Sequence, residues 1–151
     1  MMRLEHSADI GQSLQNVYAR ARAVERYPEF LPGYVTSRIV DGDREQALIE
    51  RQARVRGKLH TWRSRVRFRD NRSIHFQHVN GPLEGMRVHW QFAALAEGRT
   101  RLSIIHEIQV KRPFPINKVL ERWIYGPKVG ELAAQVVAAF KQACESKEKL
   151  S

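Results

Sequence analysis

The chain has 151 residues, of which 42% are hydrophobic and 28% charged, and its 26 Lys and Arg outnumber its 16 Asp and Glu for a formal net charge of +10. This length suits one domain, residues 1–151, and excludes a second domain with its own core. The single cysteine, Cys144, excludes an internal disulfide and fits no common zinc-ligand spacing.

The sequence lacks two features that would direct a protein to a membrane or out of the cell. No apolar run approaches the ~18 residues that a membrane-spanning helix needs. The amino-terminal residues lack the apolar segment of a signal peptide. We therefore expect a soluble, cytoplasmic protein.

The first part of the chain predicts a strand, a helix and a buried corner. Residues 3–10 predict the strand, Ser13 is a candidate N-cap, and Val17 and Ala21 have the spacing of one helical face. Residues 24–33 then combine two prolines and a glycine with Val, Tyr, Phe and Leu. Because proline disfavours helical backbone in the residue before it, we expect the helix to give way here to extended chain. The aromatic residues of the corner should enter the core.

Residues 34–111 predict a meandering antiparallel sheet, because strand-like segments alternate with short turn signals. These signals are Asp41-Gly42-Asp43, Gly57-Lys58, Asp70-Asn71, Gly81-Pro82 and Glu97-Gly98. In residues 59–69, 86–92 and 101–111, apolar and polar residues alternate, with Ile105 as the one apolar misfit. A period of two with one solvated face is typical of antiparallel strands.

From Ile116 onward the hydrophobic period is helical. The members of one face are Val129, Leu132, Ala133, Val136, Phe140 and Ala143. This amphipathic helix should lie across the apolar side of the sheet. Because an interior proline removes a hydrogen bond, Gly126-Pro127 predicts either a kinked helix or a short helix followed by a long one. Residues 145–151 predict a polar tail.

Three motifs carry a resemblance to a known family: Tyr27-Pro28-Glu29-Phe30-Leu31-Pro32-Gly33, Asn80-Gly81-Pro82 and Trp90-Gln91-Phe92. The chain resembles the coenzyme Q-binding START-like proteins, the ribosome-association toxins and the aromatic polyketide cyclase/dehydrases, which are branches of one helix-grip superfamily. The resemblance implies an α+β fold in which a curved antiparallel sheet of about seven strands wraps around a long, kinked carboxy-terminal helix. Two short helices would follow the first strand. It also implies a cavity between sheet and helix that binds apolar or aromatic ligands.

The alternation places one set of side chains on the inner face of this sheet, where they would line the cavity: His60, Trp62, Ser64, Phe76, His78, Trp90, Ile104 and His106. An apolar pocket with few polar groups is typical of ligand binding. Trp62 and Trp90 are either core residues or stacking partners for a ligand. His106 is either a core histidine or a functional group, and the same argument applies to His78. As a core histidine, His106 would form a hydrogen bond to a backbone carbonyl or to Tyr125. In the functional interpretation it binds a quinone or polyketide carbonyl, or acts as a general base.

Arg51 completes the set of catalytic candidates with His106 and His78. One strand phase puts it inside the cavity, where an arginine in the related cyclases polarises substrate carbonyls, and the alternative is exposure at a bulge or strand edge. His60, His78 and His106 come from three different strands without a short pair spacing or a carboxylate on their face. We therefore expect no metal site and no cofactor.

Four arginines, Arg63, Arg65, Arg67 and Arg69, share the other side of one predicted strand. They are either a solvated face that deters edge-to-edge association, or a docking surface for ribosomal RNA or an anionic membrane. No aromatic residue alternates with them on that face, so stacking on nucleic-acid bases lacks support and we expect no DNA binding.

Three functions follow from these features. We favour a non-enzymatic protein whose cavity binds a quinone, isoprenoid or other aromatic lipid. The first alternative is a polyketide aromatase/cyclase-dehydrase that uses His106, His78 and Arg51. The second is a ribosome-associating, toxin-like protein that uses its basic face.

Overall fold

A seven-stranded sheet and one long carboxy-terminal helix dominate the computed structural model, which describes residues 1–146; the remainder of the predicted tail, residues 147–151, lies outside the described residues. The strands are β1 (Met2–Ile10), β2 (Tyr34–Gly42), β3 (Gln46–Val55), β4 (Lys58–Arg69), β5 (Ser73–His78), β6 (Arg87–Leu95) and β7 (Arg99–Ile108). The α-helices are α1 (Leu14–Arg22), α2 (Ile116–Leu120) and α3 (Gly126–Glu145). Two 3₁₀ segments (Val24–Glu29 and Ala96–Gly98) and a π-helical turn (Glu121–Tyr125) complete the list.

The sheet has the strand order β1-β7-β6-β5-β4-β3-β2, and all neighbours are antiparallel. Strands β2 to β7 form a meander, as the turn signals predicted, and β1 joins it beside β7. In β3 to β7 the two-residue period directs alternate side chains to one buried face, which is mostly apolar but also includes Arg51, Ser64 and His78. This arrangement confirms the predicted α+β helix-grip fold.

The corner after α1 confirms the predicted burial and the two short helices expected after the first strand. Ser13 caps α1, since its hydroxyl accepts a hydrogen bond from the backbone N–H of Asn16 at 3.3 Å. The helix ends at Arg22, and a 3₁₀ segment that contains Pro28 follows before the chain becomes extended at β2. Tyr27 is completely buried there, and its hydroxyl donates to the backbone carbonyl of Ala21 at 2.6 Å.

The carboxy-terminal helix runs from Ile116 to Glu145 through α2, the π turn and α3, so a short helix does precede a long one. The π turn lies directly before Pro127, where proline cannot donate the usual hydrogen bond. Gly126 has no space for a side chain, because a Cβ atom would lie 2.6 Å from both the carbonyl oxygen of Glu121 and the sulfur of Met2.

Helix α3 runs alongside β1 in the same direction and covers the β1–β7 side of the sheet. Gly126 lies beside Met2 at its start, and the Lys141 ammonium group donates to the carbonyl of Asp9 at 2.9 Å near its end. Val129, Ala133, Val136, Phe140 and Ala143 of the predicted face are buried, whereas Leu132 is only partly so. No described helix is long and apolar enough to cross a membrane.

An aromatic core joins the helix, the corner and the sheet. Trp90 stacks on Tyr27 with ring centroids 5.7 Å apart, and Phe140 meets Trp90 edge-on at 5.2 Å. Phe30 then contacts Phe140 at 6.0 Å. Such aromatic pairs add to the burial of apolar area, so this cluster fixes the position of α3 over the sheet.

Candidate ligand-binding site

The inner face of β2, β3, β4 and β5 carries a cluster of polar and aromatic side chains, which we call the polar cluster. Its members are Tyr34, Arg51, Trp62, Ser64 and His78. Antiparallel register assembles it, because Arg51 pairs with Trp62 and Ser64 pairs with His78. The guanidinium group of Arg51 donates to the hydroxyl of Ser64 at 3.3 Å and to that of Tyr34 at 3.4 Å. These residues lie on the β2 side of the sheet, away from the β1–β7 side that α3 covers.

Arg51 is the unusual member of the polar cluster. It is 4% exposed, and it forms no ion pair with any acidic residue among residues 1–146. Its guanidinium carbon lies 4.7 Å from the ring centroid of Phe76, 5.3 Å from that of Trp62 and 5.7 Å from that of Tyr34. Cation–π contacts compensate only part of the cost of removing a guanidinium from water. A buried cation without a carboxylate is therefore a strong candidate for ligand binding.

Three polar atoms near this guanidinium are buried and lack a hydrogen-bond partner: Nε of Arg51, Nε1 of Trp62 and Oγ of Ser37. Ser37 faces Arg51 across the β2–β3 pair. Unpartnered buried polar atoms are uncommon, and the two nitrogens can only donate. The site therefore offers donors to an acceptor oxygen.

The pKa of His78 is lowered to about 3, first because burial disfavours the charged imidazolium, and then because Arg51 and His106 add positive charge. At neutral pH the His78 ring is therefore uncharged. It stacks on Trp62, with ring centroids 5.6 Å apart. Gly81 shapes this wall: its φ is +89°, and a Cβ atom there would lie 2.7 Å from Cβ of Trp62, so only glycine fits.

The other predicted cavity residues lie apart from this cluster or in the core. Trp90 and Ile104 pair across β6 and β7 and are almost fully buried, with the Trp90 ring in the aromatic core. Phe76 contacts both Arg51 and Trp90 and so connects the two regions. His60 is partly exposed, opposite Ala53 near the start of β4.

His106 lies on β7, two strands away from His78. Its Nδ1 atom is buried without a hydrogen-bond partner, so the expected bond from this atom to a carbonyl or to Tyr125 is not formed. Burial, followed by the charges of His6 and His89, lowers the pKa of His106 to about 4. The structure thus brings Arg51 and His78 together, whereas His106 acts on His78 only through its charge, from two strands away.

The outer face of β4 carries the four predicted arginines. Arg63 is bound by Glu50 at 3.0 Å, and Glu50 also binds Arg38 at 2.9 Å. The remaining three, Arg65, Arg67 and Arg69, are exposed and form no ion pair within residues 1–146. The free positive charge of this face therefore resides mainly on these three side chains.

Several features of the site were missed by the sequence analysis. Tyr34 and Ser37 were not predicted to share the inner face, because a bulge in β2 between Tyr34 and Thr36 breaks the two-residue period. The bulge places Ser37 on the inner face. On the outer face, His75 contacts His89, and His89 contacts Glu107. Their alternate positions on β5, β6 and β7 are visible in the sequence, but their pairing depends on register.

A pocket of about 450 Å³ lies at the far end of β3 and β4 and does not include the polar cluster. It is lined by Arg44, Glu45, Gln46, Arg67, Phe68, Arg69 and Asp70. The mixed charges of this lining and its position among turn residues distinguish it from the apolar inner face. Within the described residues, no group of three or more His, Cys, Asp or Glu side chains is arranged to hold a metal ion.

Comparisons with known proteins agree with this architecture. Residues 10–138 match the family described as polyketide cyclase / dehydrase and lipid transport. The ribosome association toxin RatA from Escherichia coli is 28% identical over 140 residues, which cover 93% of this chain and 85% of that protein.

Solved structures show the same fold. Zhui aromatase/cyclase from a Streptomyces species superposes with a TM-score of 0.73 at 20% identity, covering 93% of this chain and 94% of that one. A START superfamily protein from Mycobacterium smegmatis gives a TM-score of 0.69 at 16% identity, with 93% and 97% covered. The chain therefore belongs to the polyketide cyclase/dehydrase and lipid transport family and has its START-like helix-grip fold.

Proposed function

We propose that this protein binds a hydrophobic aromatic ligand, a quinone or another aromatic lipid, on the inner face of its sheet, and that the polar cluster holds an oxygen atom of the ligand. The observation that carries the proposal is the buried guanidinium of Arg51, which lacks an acidic partner among the described residues. The lipid-transport description of the family is consistent with such a role.

The chemistry of the cluster selects an oxygen acceptor. The unpartnered Nε of Arg51 and Nε1 of Trp62 are donors without acceptor capacity. A quinone carbonyl would accept from both, and the hydrogen bond from a charged donor would be the stronger one. The rings of Tyr34, Trp62 and Phe76 around the guanidinium would supply flat apolar contacts for the ring of the ligand.

The same geometry favours binding over cyclisation. A general base works best when its pKa lies near the operating pH, and the pKa of His78 is about 3. His106, the other candidate base, lies two strands away. Arg51 would therefore polarise a carbonyl without an effective proton acceptor beside it.

Tryptophan emission tests the proposal. In a Trp123→Phe background, which removes the exposed tryptophan, a short-chain ubiquinone analogue should quench the remaining emission saturably. Arg51→Met should abolish saturation, whereas Arg54→Met, an exposed arginine on the same strand, should leave it unchanged. Equal quenching of both variants would mean that the quinone does not use the polar cluster.

Ribosome association is the second candidate, supported by the similarity to RatA and by the free charge of Arg65, Arg67 and Arg69. The protein would then sediment with ribosomal particles, with an affinity that falls steeply as salt rises. Arg65→Glu/Arg67→Glu should release it, while Arg51→Met should not. Sedimentation that is insensitive to the double variant would exclude this face as the contact.

A further inference from the structure

A stripe of large apolar side chains faces solvent just before α3. Phe114 is 79% exposed and Trp123 is 69% exposed. Together with Ile116, Val119 and Ile124, they form what we call the apolar stripe. From Ile116 the spacing is that of one side of a helix, so the four residues from Ile116 to Ile124 lie close together on the surface, and Phe114 directly precedes this helix.

Between Ile116 and Tyr125 the one fully buried side chain is a carboxylate, and the large apolar side chains of the stripe are exposed. Glu121 is 2% exposed. Its carboxylate accepts a hydrogen bond from the backbone N–H of Val110 at 3.0 Å and lies 3.5 Å from the amino group of Met1. These contacts hold the inward side of the helix, where Tyr125 also packs against the core, beside the residues that follow β7 and leave the apolar stripe facing outward. A surface helix in water normally has the opposite orientation.

Basic residues surround the apolar stripe. Residues 111–128 contain five of them, Lys111, Arg112, Lys118, Arg122 and Lys128, and all five are exposed. The only acid in this range is the buried Glu121. Lys111 is paired with Glu84 at 3.3 Å, and the ammonium group of Lys118 lies 3.9 Å from the carboxylate of Glu121. Within residues 1–146, the positive charge beside the stripe that forms no ion pair is therefore that of Arg112, Arg122 and Lys128.

We propose that the apolar stripe is a docking surface for an anionic lipid membrane. Helices that lie in the membrane interface combine an apolar side with flanking Lys and Arg, and Trp is favoured at the depth of the lipid headgroups. Each basic residue near an anionic surface adds to the attraction. The apolar side chains of the stripe would thus contact the acyl boundary of the membrane, and the basic residues would contact its negative headgroups.

Charge argues against a second copy of this chain as the occupant. A two-fold dimer would place the same surface of both molecules face to face and would bring the two sets of Arg112, Arg122 and Lys128 together. The exposed acid at this surface, Glu84, is already paired with Lys111. A purely phosphate-bearing polymer would leave the apolar side chains unused. The membrane proposal does not depend on ligand binding by the polar cluster.

Vesicle flotation tests the proposal. The protein should float with vesicles of phosphatidylglycerol and phosphatidylcholine and remain unbound to phosphatidylcholine alone. Phe114→Ser/Trp123→Ser should lower the partition coefficient more than about tenfold, because two large apolar side chains are removed. Arg112→Glu/Lys128→Glu should lower it by a similar or larger factor, and high salt should weaken the wild type.

Contact itself is measured with brominated phosphatidylcholine in the anionic vesicles, which should quench the emission of Trp123. A matched control is Ile39→Ser, which removes an exposed apolar residue from the opposite sheet edge and should change nothing. Arg51→Met should also still bind vesicles, which separates this proposal from the ligand site. Thermal unfolding of each variant confirms that it is folded.

Three results would overturn the proposal. One is flotation unchanged by both stripe variants. Another is loss of flotation only in Arg65→Glu/Arg67→Glu, which would assign the membrane contact to β4. The third is a dimer in sedimentation that Phe114→Ser/Trp123→Ser dissociates, which would make a second copy the occupant.

Discussion

Replacement of Arg51 by methionine should make the protein more stable while removing its ligand site. The change deletes two long hydrogen bonds, at 3.3 and 3.4 Å, which contribute about 0.5 kcal/mol each, and three cation–π contacts of about 0.5–1 kcal/mol each. These contacts together contribute about 3 kcal/mol to the folded state. The folded state also bears the cost of removing the Arg51 cation, which is 4% exposed, from water, and this cost of several kcal/mol disappears in the variant. We expect the free energy of unfolding to rise by about 1–2 kcal/mol.

Urea unfolding followed by circular dichroism measures this difference, and the thermal midpoint should rise by about 2–4 °C for each kcal/mol. Arg54→Met is the matched control, because Arg54 lies on the same strand but is exposed, and it should stay within about 0.5 kcal/mol of the wild type. If Arg51→Met instead lowers the free energy of unfolding by more than about 1 kcal/mol, Arg51 is a structural residue. The burial of Arg51 would then give no support to a ligand-binding role.

Three further predictions concern the core and its histidines. Because burial lowers the pKa of His78 to about 3 and of His106 to about 4 from 6.5, the unfolded chain binds more protons as the pH falls below 6.5. Stability should therefore decrease between pH 6.5 and 4.5 by about 1.4 kcal/mol per pH unit for each histidine, and an unchanged slope in His78→Gln would contradict the assignment. Gly126→Ala should lower the free energy of unfolding by about 1–3 kcal/mol, measured in urea, since its methyl group would lie 2.6 Å from a backbone oxygen. Trp90→Ala should cost about 3–5 kcal/mol in the same assay, and a loss below about 1 kcal/mol would mean that the ring is not a core residue.

The sequence predicted the features that depend on short-range periodicity. Alternation within β4, β6 and β7 identified the strands and their inner faces, and the proline-rich corner predicted the burial of Tyr27. Such patterns are strong because a strand with one buried face must repeat every two residues. The inner-face positions of β4, β6 and β7 follow directly from that period.

The parts that the sequence did not predict depend on register and on long-range packing. Ser37 reaches Arg51 only because a bulge shifts β2 by one residue. The spacing of Ile116, Val119 and Trp123 predicts one helical side, but whether that side is covered depends on how Glu121 anchors the helix to β7. Neither fact is encoded in a local pattern.

If the polar cluster binds an oxygen of an aromatic ligand, the indole N–H of Trp62 should report the binding. In ¹H–¹⁵N spectra, titration with the short-chain ubiquinone analogue should shift the Trp62 indole signal saturably, because this unpartnered donor gains an acceptor, and the shift should disappear in Arg51→Met. The exposed Trp123 signal should not change. A ligand that binds saturably and leaves the Trp62 indole signal in place, or shifts it equally in Arg51→Met, would contradict the account.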